Sequence, residues 1–375
     1  MRFVMMTECR TPHGGTHHRR WHDAIDEAIF GEQMGFDVWG TSEHHFFVDL
    51  ATVSCPEVLY AAVAAQTSRI KIRPMSVLLP VHHPVSVAER LAGLDIISNG
   101  RMELCTARGN TLLQLDAFGI PLDETKARSE EALEIVINAL ADDTFSHDGR
   151  YWKIPKRSLT PRPLQYPHLP VHKITASPES ARDAGRCGLG ALASDMYLGW
   201  EYLEEVAKAY REGLSEAQDP PPVVRRRTEA LGASVISGVC ADTTEEALRI
   251  GERPAVHFAT RQIGDYPTLG DRSPGGYAYT DKIKELQAHS GDINYLNGTP
   301  SVMLGDPDHW IAQIRRFESL GFDEVKVTFD GFPHAEIMRN LEMVGRHVIP
   351  AFKTPNAVVT HGPITGADEF QYTKA

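Results

Sequence analysis

The sequence predicts an α/β protein built as a single (β/α)8 TIM barrel, and three observations carry that prediction. Eight short apolar runs alternate with segments of helical period. Most of the runs are unbroken Val/Ile/Leu/Met stretches, the pattern of strands buried on both faces. The 375 residues exceed the roughly 250 a barrel needs, and the surplus falls in two stretches that break the rhythm and in a tail.

The first strand is expected near Arg2–Thr7. A helix follows from about Arg20, with Trp21, Ile25 and Ile29 on one face. Gly35 stops it, and the second strand is Phe36–Gly40. A helix near Pro56–Thr67 leads to the third strand, Ile70–Leu79. Pro84 opens the next helix from a first-turn position, Val87, Leu91 and Leu94 line its inner face, and Asn99-Gly100 ends it. The fourth strand, Arg101–Ala107, precedes a helical stretch over Asp116–Leu140. Ala141–Pro170 holds Tyr151, Trp152 and five prolines and reads as an excursion of hairpin type outside the repeating unit. The fifth and sixth strands are Val171–Thr175 and Leu189–Ser194, followed by a helix over Trp200–Gly213. The seventh strand, Leu231–Val239, leads to a helix from Thr243 to about Gly251. Glu252–Thr299 has six glycines and little periodicity, so it reads as a long loop or lid inserted between the seventh and eighth strands. A helix at Asp308–Leu320, the eighth strand Glu324–Phe329, and a closing helix carrying Ile337, Leu341, Val344 and Val348 complete a barrel over residues 1–352. The polar tail 353–375 lies outside it.

A net charge of -12, from 38 Lys+Arg against 50 Asp+Glu, argues against a nucleic-acid partner, which needs a basic face. No apolar run approaches the roughly 20 residues of a membrane span, and the N-terminus starts as a strand rather than as a signal peptide. Five cysteines without metal spacing read as reduced thiols of a cytoplasmic protein.

Barrel enzymes place their chemistry at the C-terminal ends of the strands. There the sequence offers Glu43-His44-His45-Phe46, Met75-Ser76 with His82-His83, Arg108-Gly109-Asn110, and Ala176-Ser177 with Ser180. Adjacent histidines point apart in extended backbone, so at most one of the pair faces the mouth, where an imidazole can move a proton near neutral pH, with a hydrogen-bonded histidine holding the loop as the alternative. Arg108 is a candidate for binding a phosphate or carboxylate, with a structural ion pair to Glu89 as the alternative. Ser177 and Ser180 flank a helix start that favours an anion, with an ordinary serine N-cap as the alternative. The Glu43, His44, His45, His82 and His83 group suits a metal poorly, because adjacent histidines rarely reach one ion; no metal is expected.

The ordered set Glu43-His44-His45-Phe46, Val77-Leu78-Leu79-Pro80 with His83-Pro84-Val85, Asn99 to Leu104, Arg108-Gly109, Ala117-Phe118-Gly119, Ser177 to Ala181, Gly305-Asp306-Pro307 and Val348 to Phe352 resembles the bacterial luciferase-like flavin monooxygenases. That resemblance implies a dimeric barrel using reduced FMN, supplied by a separate flavin reductase, with O2 as co-substrate, to oxygenate a small molecule through a flavin hydroperoxide. By the same resemblance His44 is catalytic. The cofactor would be held by Arg108 and Asn110, by the Ala176, Ser177 and Ser180 turn, and by Met75-Ser76 as a non-proline cis peptide under the ring. Glu252–Thr299 would be a mobile cover. Asn110, Gln114 and Ala107 depart from the family pattern and argue against a light-emitting luciferase. A deazaflavin-dependent hydride transferase and a non-catalytic flavin-binding subunit are the alternatives.

Overall fold

The computed structural model describes residues 1–48, 50–109, 111–265, 271–272 and 279–353. Nine parallel strand segments form one sheet in the order β3 (Lys71–Ile72), β2 (Val38–Gly40), β1 (Arg2–Met6), β13 (Glu324–Thr328), β10 (Leu231–Val235), β9 (Gly190–Ala193), β8 (Val171–Thr175), β5 (Leu104–Ala107), β4 (Val77–Leu78). The two ends of that order, β3 and β4, are halves of the predicted third strand. β3 pairs with β2, β4 pairs with β5, and an isolated Ile72–Met102 bridge spans the same gap. The sheet therefore closes on itself, and counted by barrel position it has the eight strands the sequence predicts.

Side-chain alternation along these strands sorts the core into two parts. Phe3 and Met5 face the surrounding helices. Val4 and Met6 point inward and meet Val38, Met75, Cys105 and Leu192 in an apolar layer inside the barrel. One turn of alternation lower, an ionic layer closes the N-terminal end. Arg73 forks onto Glu324 at 2.9 and 3.2 Å, and Arg2 reaches both Glu324 at 2.9 Å and Glu103 at 2.8 Å. His172 stands 3.5 Å from Glu103. The barrel is thus sealed below and can open only above.

The helices α1 (His17–Met34), α2 (Pro56–Gln66), α3 (Pro84–Ile97), α5 (Thr125–Ala141), α6 (Pro178–Arg186) and α7 (Trp200–Glu216) follow the strands as expected. The excursion contains an antiparallel hairpin, β6 (Phe145–Asp148) with β7 (Lys153–Arg157).

Four expectations need correction. The stretch Asp116–Leu140 is two helices, α4 (Leu112–Ala117) and α5, because Gly119 takes a left-handed φ of 67° and Pro121 follows it. The seventh strand breaks at Ile236. Its second half, β11 (Ser237–Cys240), leaves the barrel to pair with β12 (Val302–Gly305), a strand the sequence reading did not contain. The presumed loop Glu252–Thr299 is largely helical where it is described: α8 runs from Thr244 to Asp265 through Pro254, and helical turns at Tyr279–Lys284, Glu285–His289 and Ile293–Asn297 follow. The buried stripe Ala247, Gly251, Ala255, Ala259 and Ile263, four residues apart, packs α8 down and outweighs the proline. Finally, Met75–Ser76 is not cis; the cis bonds among the described residues all precede proline. Met75 N donates to Thr41 O at 2.9 Å and Ser76 bridges Ser42, so the segment bends at Met75 and is held beside the end of β2.

Candidate active site

The C-terminal ends of the barrel strands open into a cavity of about 810 Å³, in the upper part of the usual range for ligand pockets. His44, Met75, Ser76, Arg108, Ala176, Ser177 and Ser180 all line it. Asn110 lies outside the described residues.

The Glu43-His44-His45 motif divides its labour as alternation demands. His44 faces the cavity, while Glu43 and His45 turn into the protein. The buried Glu43 carboxylate accepts hydrogen bonds from His45 Nε2 at 2.8 Å, His82 Nε2 at 2.6 Å and Leu78 N at 3.0 Å. Burial works against its charge, but these donors outweigh burial and hold the carboxyl down at about 2. His45 N in turn donates to Gln114 Oε1 at 3.0 Å. Glu43 therefore ties the loop after β2 to the end of β4 and the turn that follows it, which sets where His44 stands.

The His44 ring packs edge-on against Phe47, its centroid 5.1 Å away. Its Nε2 lies 3.8 Å from Glu8 Oε1, and its buried Nδ1 has no hydrogen-bond partner among the described residues. Burial, partly offset by His44, raises the Glu8 carboxyl above its ordinary value.

Arg108 leaves the end of β5 and is followed by Gly109 at φ 83°, a conformation that favours glycine. Across β8, Ser177 is the N-cap of α6 in a capping box: Ser177 Oγ accepts from Ser180 N at 3.2 Å, and Ser177 N donates to Ser180 Oγ at 3.3 Å. The serines are thus both an ordinary N-cap and part of the cavity wall. Lys126, in the first turn of α5, joins this wall and lies 3.5 Å from Asp183. Sequence reasoning missed Lys126 because the single-helix reading put it mid-helix; the Gly119–Pro121 break was the signal. An arginine, a lysine and a helix N-terminus on adjoining elements, with Glu179 and Asp183 beside them, bring to this wall the donors an anion needs.

Two further residues were missed. Glu8 and Lys326 are each nearly buried and line the cavity. Their signal was strand parity: Glu8 continues the inward series Val4, Met6, and Lys326 sits between Glu324 and Thr328. Burial pushes the Lys326 ammonium down to about 8. From above, α8 contributes Phe258, Arg261 and Gln262, the last accepting from Tyr197 Oη at 3.2 Å.

A sequence profile of luciferase-like monooxygenases matches residues 1–324. The chain belongs to the luciferase-like monooxygenase family. It is 33% identical, over 88% of its length and 91% of the other's, to an uncharacterized protein of Sinorhizobium fredii. It is 24% identical to the oxygenase component of the flavin-dependent trigonelline monooxygenase of Acinetobacter baylyi, covering 97% of this chain and 99% of that one. F420-dependent glucose-6-phosphate dehydrogenase of Microbacterium testaceum matches at 24% identity over 88% of this chain and 94% of its own. In fold, the FMN complex of the oxygenating constituent of 3,6-diketocamphane monooxygenase from Pseudomonas putida superposes with a TM-score of 0.74 at 23% identity, covering 95% and 99% of the two chains. This luciferase-like chain is therefore an oxidoreductase on a TIM barrel. Among its described residues no helix is long and apolar enough to cross a membrane.

Proposed function

We propose that this chain is the oxygenase of a two-component monooxygenase that receives reduced FMN from a separate reductase. One atom of O2 enters a small organic substrate, the other leaves as water, and the two electrons come from the flavin. The observation that carries the reading is that His44 shares one cavity with the Arg108 and Ser177–Ser180 anion wall. The relative named as an oxygenase component supports the need for a reductase, and the FMN-bound neighbour supports the choice of flavin.

The residues fit the cofactor's chemistry. Arg108, Lys126 and the N-terminus of α6 would hold the phosphate, and Met75, Ser76 and Ala176 would border the ring system. FMN, when bound, supplies the electrons that activate O2. His44 holds or moves a proton at its ring nitrogens, which face the cavity. Met6, Leu192 and Ile174 below and α8 above keep water from the reacting atoms.

The test is titration of the protein with FMN and with F420, followed by O2 uptake in the presence of a flavin reductase. FMN binding with substrate-dependent O2 uptake is expected, and F420 binding in place of FMN would overturn the reading. Arg108→Ala should weaken FMN affinity by about tenfold or more, the worth of a charge-assisted contact; an unchanged affinity removes Arg108 from the phosphate site.

A further inference from the structure

The wall opposite the anion site carries charges that the flavin reading leaves unused. In the closed ring, β5 and β8, which bear Arg108 and the Ser177 turn, stand across the barrel from β13 and β1. On that far side the inward positions end in Lys326 and Thr328 on β13 and in Met6 on β1, with Glu8 two residues past the strand end. Lys326 is only 5% exposed and Glu8 only 6%, yet both border the cavity.

Lys326 is under-compensated for a buried ammonium. Its Nζ donates to Thr328 Oγ1 at 3.0 Å and Val235 O at 3.4 Å, both neutral acceptors. An ammonium has three N–H donors, and no carboxylate of the described residues forms an ion pair with it. Glu8 is near enough to act on it through space, but Glu8 faces His44 instead, and its Oε2 has no hydrogen-bond partner among the described residues. Two opposite charges have thus been buried on one wall of a cavity without contacting each other. Burying charge is costly unless it is paired and hydrogen-bonded. A purely apolar substrate would leave the ammonium without a counter-charge, whereas a substrate with an anionic end would complete its partners.

We propose that Lys326 anchors a substrate site on this wall, and that the substrate is a small carboxylate whose anionic group sits on the Lys326 ammonium while Glu8 accepts a hydrogen bond from a donor on the same molecule. This inference rests on the reading of the cavity as a flavin and substrate chamber. It makes Lys326 a specificity-determining residue.

The experiment is isothermal titration of the whole protein, with and without FMN, using benzoate, nicotinate and cyclohexanecarboxylate, each against its neutral amide. At least one carboxylate should bind the wild type about tenfold or more tightly than its amide, as expected for a hydrogen bond to a charged group. Lys326→Met should erase that preference while changing FMN affinity by less than about threefold, since the phosphate site lies across the barrel. Equal binding of acids and amides, no binding of any acid, or a preference that survives in Lys326→Met overturns the proposal. So does a Lys326→Met variant whose main defect is in FMN affinity, which would turn the ammonium toward the flavin. If Lys326→Met does not fold, Lys326→Gln carries the comparison, and the wild-type panel decides by itself. Failure of the wild type to bind FMN sinks the parent reading and is scored separately from the acid–amide panel.

Discussion

Replacing Glu43 by Gln tests whether the motif beside His44 is a structural clamp. The substitution keeps the shape and removes the charge. In the native protein the carboxylate falls from its ordinary 4.5 to about 2 under donors from His45, His82 and Leu78 N. That difference, at about 1.4 kcal/mol per tenfold in proton affinity, corresponds to roughly 3 kcal/mol of stability. Only 1% of the side chain is exposed, so solvent screening is slight. The amide also turns an NH2 toward a site that offers donors, leaving a buried group unsatisfied. A depressed carboxylate contributes its full share above 4.5 and loses it as pH falls through about 2. Glu43→Gln should therefore cost roughly 3 kcal/mol, level from pH about 8 down to about 5, with the difference from wild type shrinking in stronger acid. Urea unfolding midpoints of both proteins across that range measure it, and turnover should fall as well because the loop that carries His44 loosens. A loss at neutral pH below about 0.5 kcal/mol, the ordinary scatter of surface substitutions, or a difference that grows in acid, would refute the clamp.

Other substitutions probe separate parts of the design. His44→Ala should leave FMN affinity nearly unchanged and cut substrate-dependent O2 uptake by about 10²–10⁴; uptake equal to wild type would remove His44 from the chemistry. Gly40→Ala would set a Cβ 1.8 Å from the Arg73 carbonyl oxygen, so it should cost more than the usual 1–3 kcal/mol of overpacking and lower the soluble yield, whereas a midpoint like the wild type's would mean that β2 and β3 can separate there. Phe258→Ala, on the wall that α8 lends to the cavity, should raise the substrate KM severalfold with little effect on FMN binding; an effect on FMN alone would move α8 to the cofactor side.

What the sequence made legible follows from how strongly each feature is over-determined. Strands buried on both faces are continuous apolar runs, and their number and order were readable because nothing in a barrel's geometry competes with that signal. The strand-end motifs were legible for a related reason, since position in the ring alone brings His44, Arg108 and Ser177 to one mouth. The misreadings cluster where a local breaker opposes a tertiary contact. Six glycines and little periodicity argued for a loop over Glu252–Thr299, but the stripe of five buried residues from Ala247 to Ile263, spaced by four, packs α8 down. Counting that stripe against the breakers would have extended the helix, because packing of an apolar face contributes more than propensity. Ile236 gave no warning that the seventh strand divides, since β11 reads like its continuation and departs only because β12, some 60 residues further on by sequence count, offers it a partner.

The residues that choose a substrate were hidden by a different effect. Lys326 sits inside β13 and Glu8 just past the end of β1, where a charged side chain reads as an outward-facing exception until parity with Val4, Met6 and Thr328 is counted. Once it is, the same parity explains the vertical order of the barrel interior. On β13 the inward series runs Glu324, Lys326, Thr328, from a carboxylate tied into the sealing ion layer, through an ammonium held by neutral acceptors, to a hydroxyl at the cavity. The lower charge has its guanidinium partner at 2.9 Å, and the one above it has no carboxylate in ion-pair contact among the described residues. A fold needing charge only for sealing would stop at Glu324. Carrying a second charge one step up the strand, into the cavity, costs stability in the empty protein and is recovered only when a molecule supplies the missing counter-charge. That makes Lys326 a binding residue by energetics as well as by position, and ties the selectivity of the cavity to strands that the flavin's phosphate never touches.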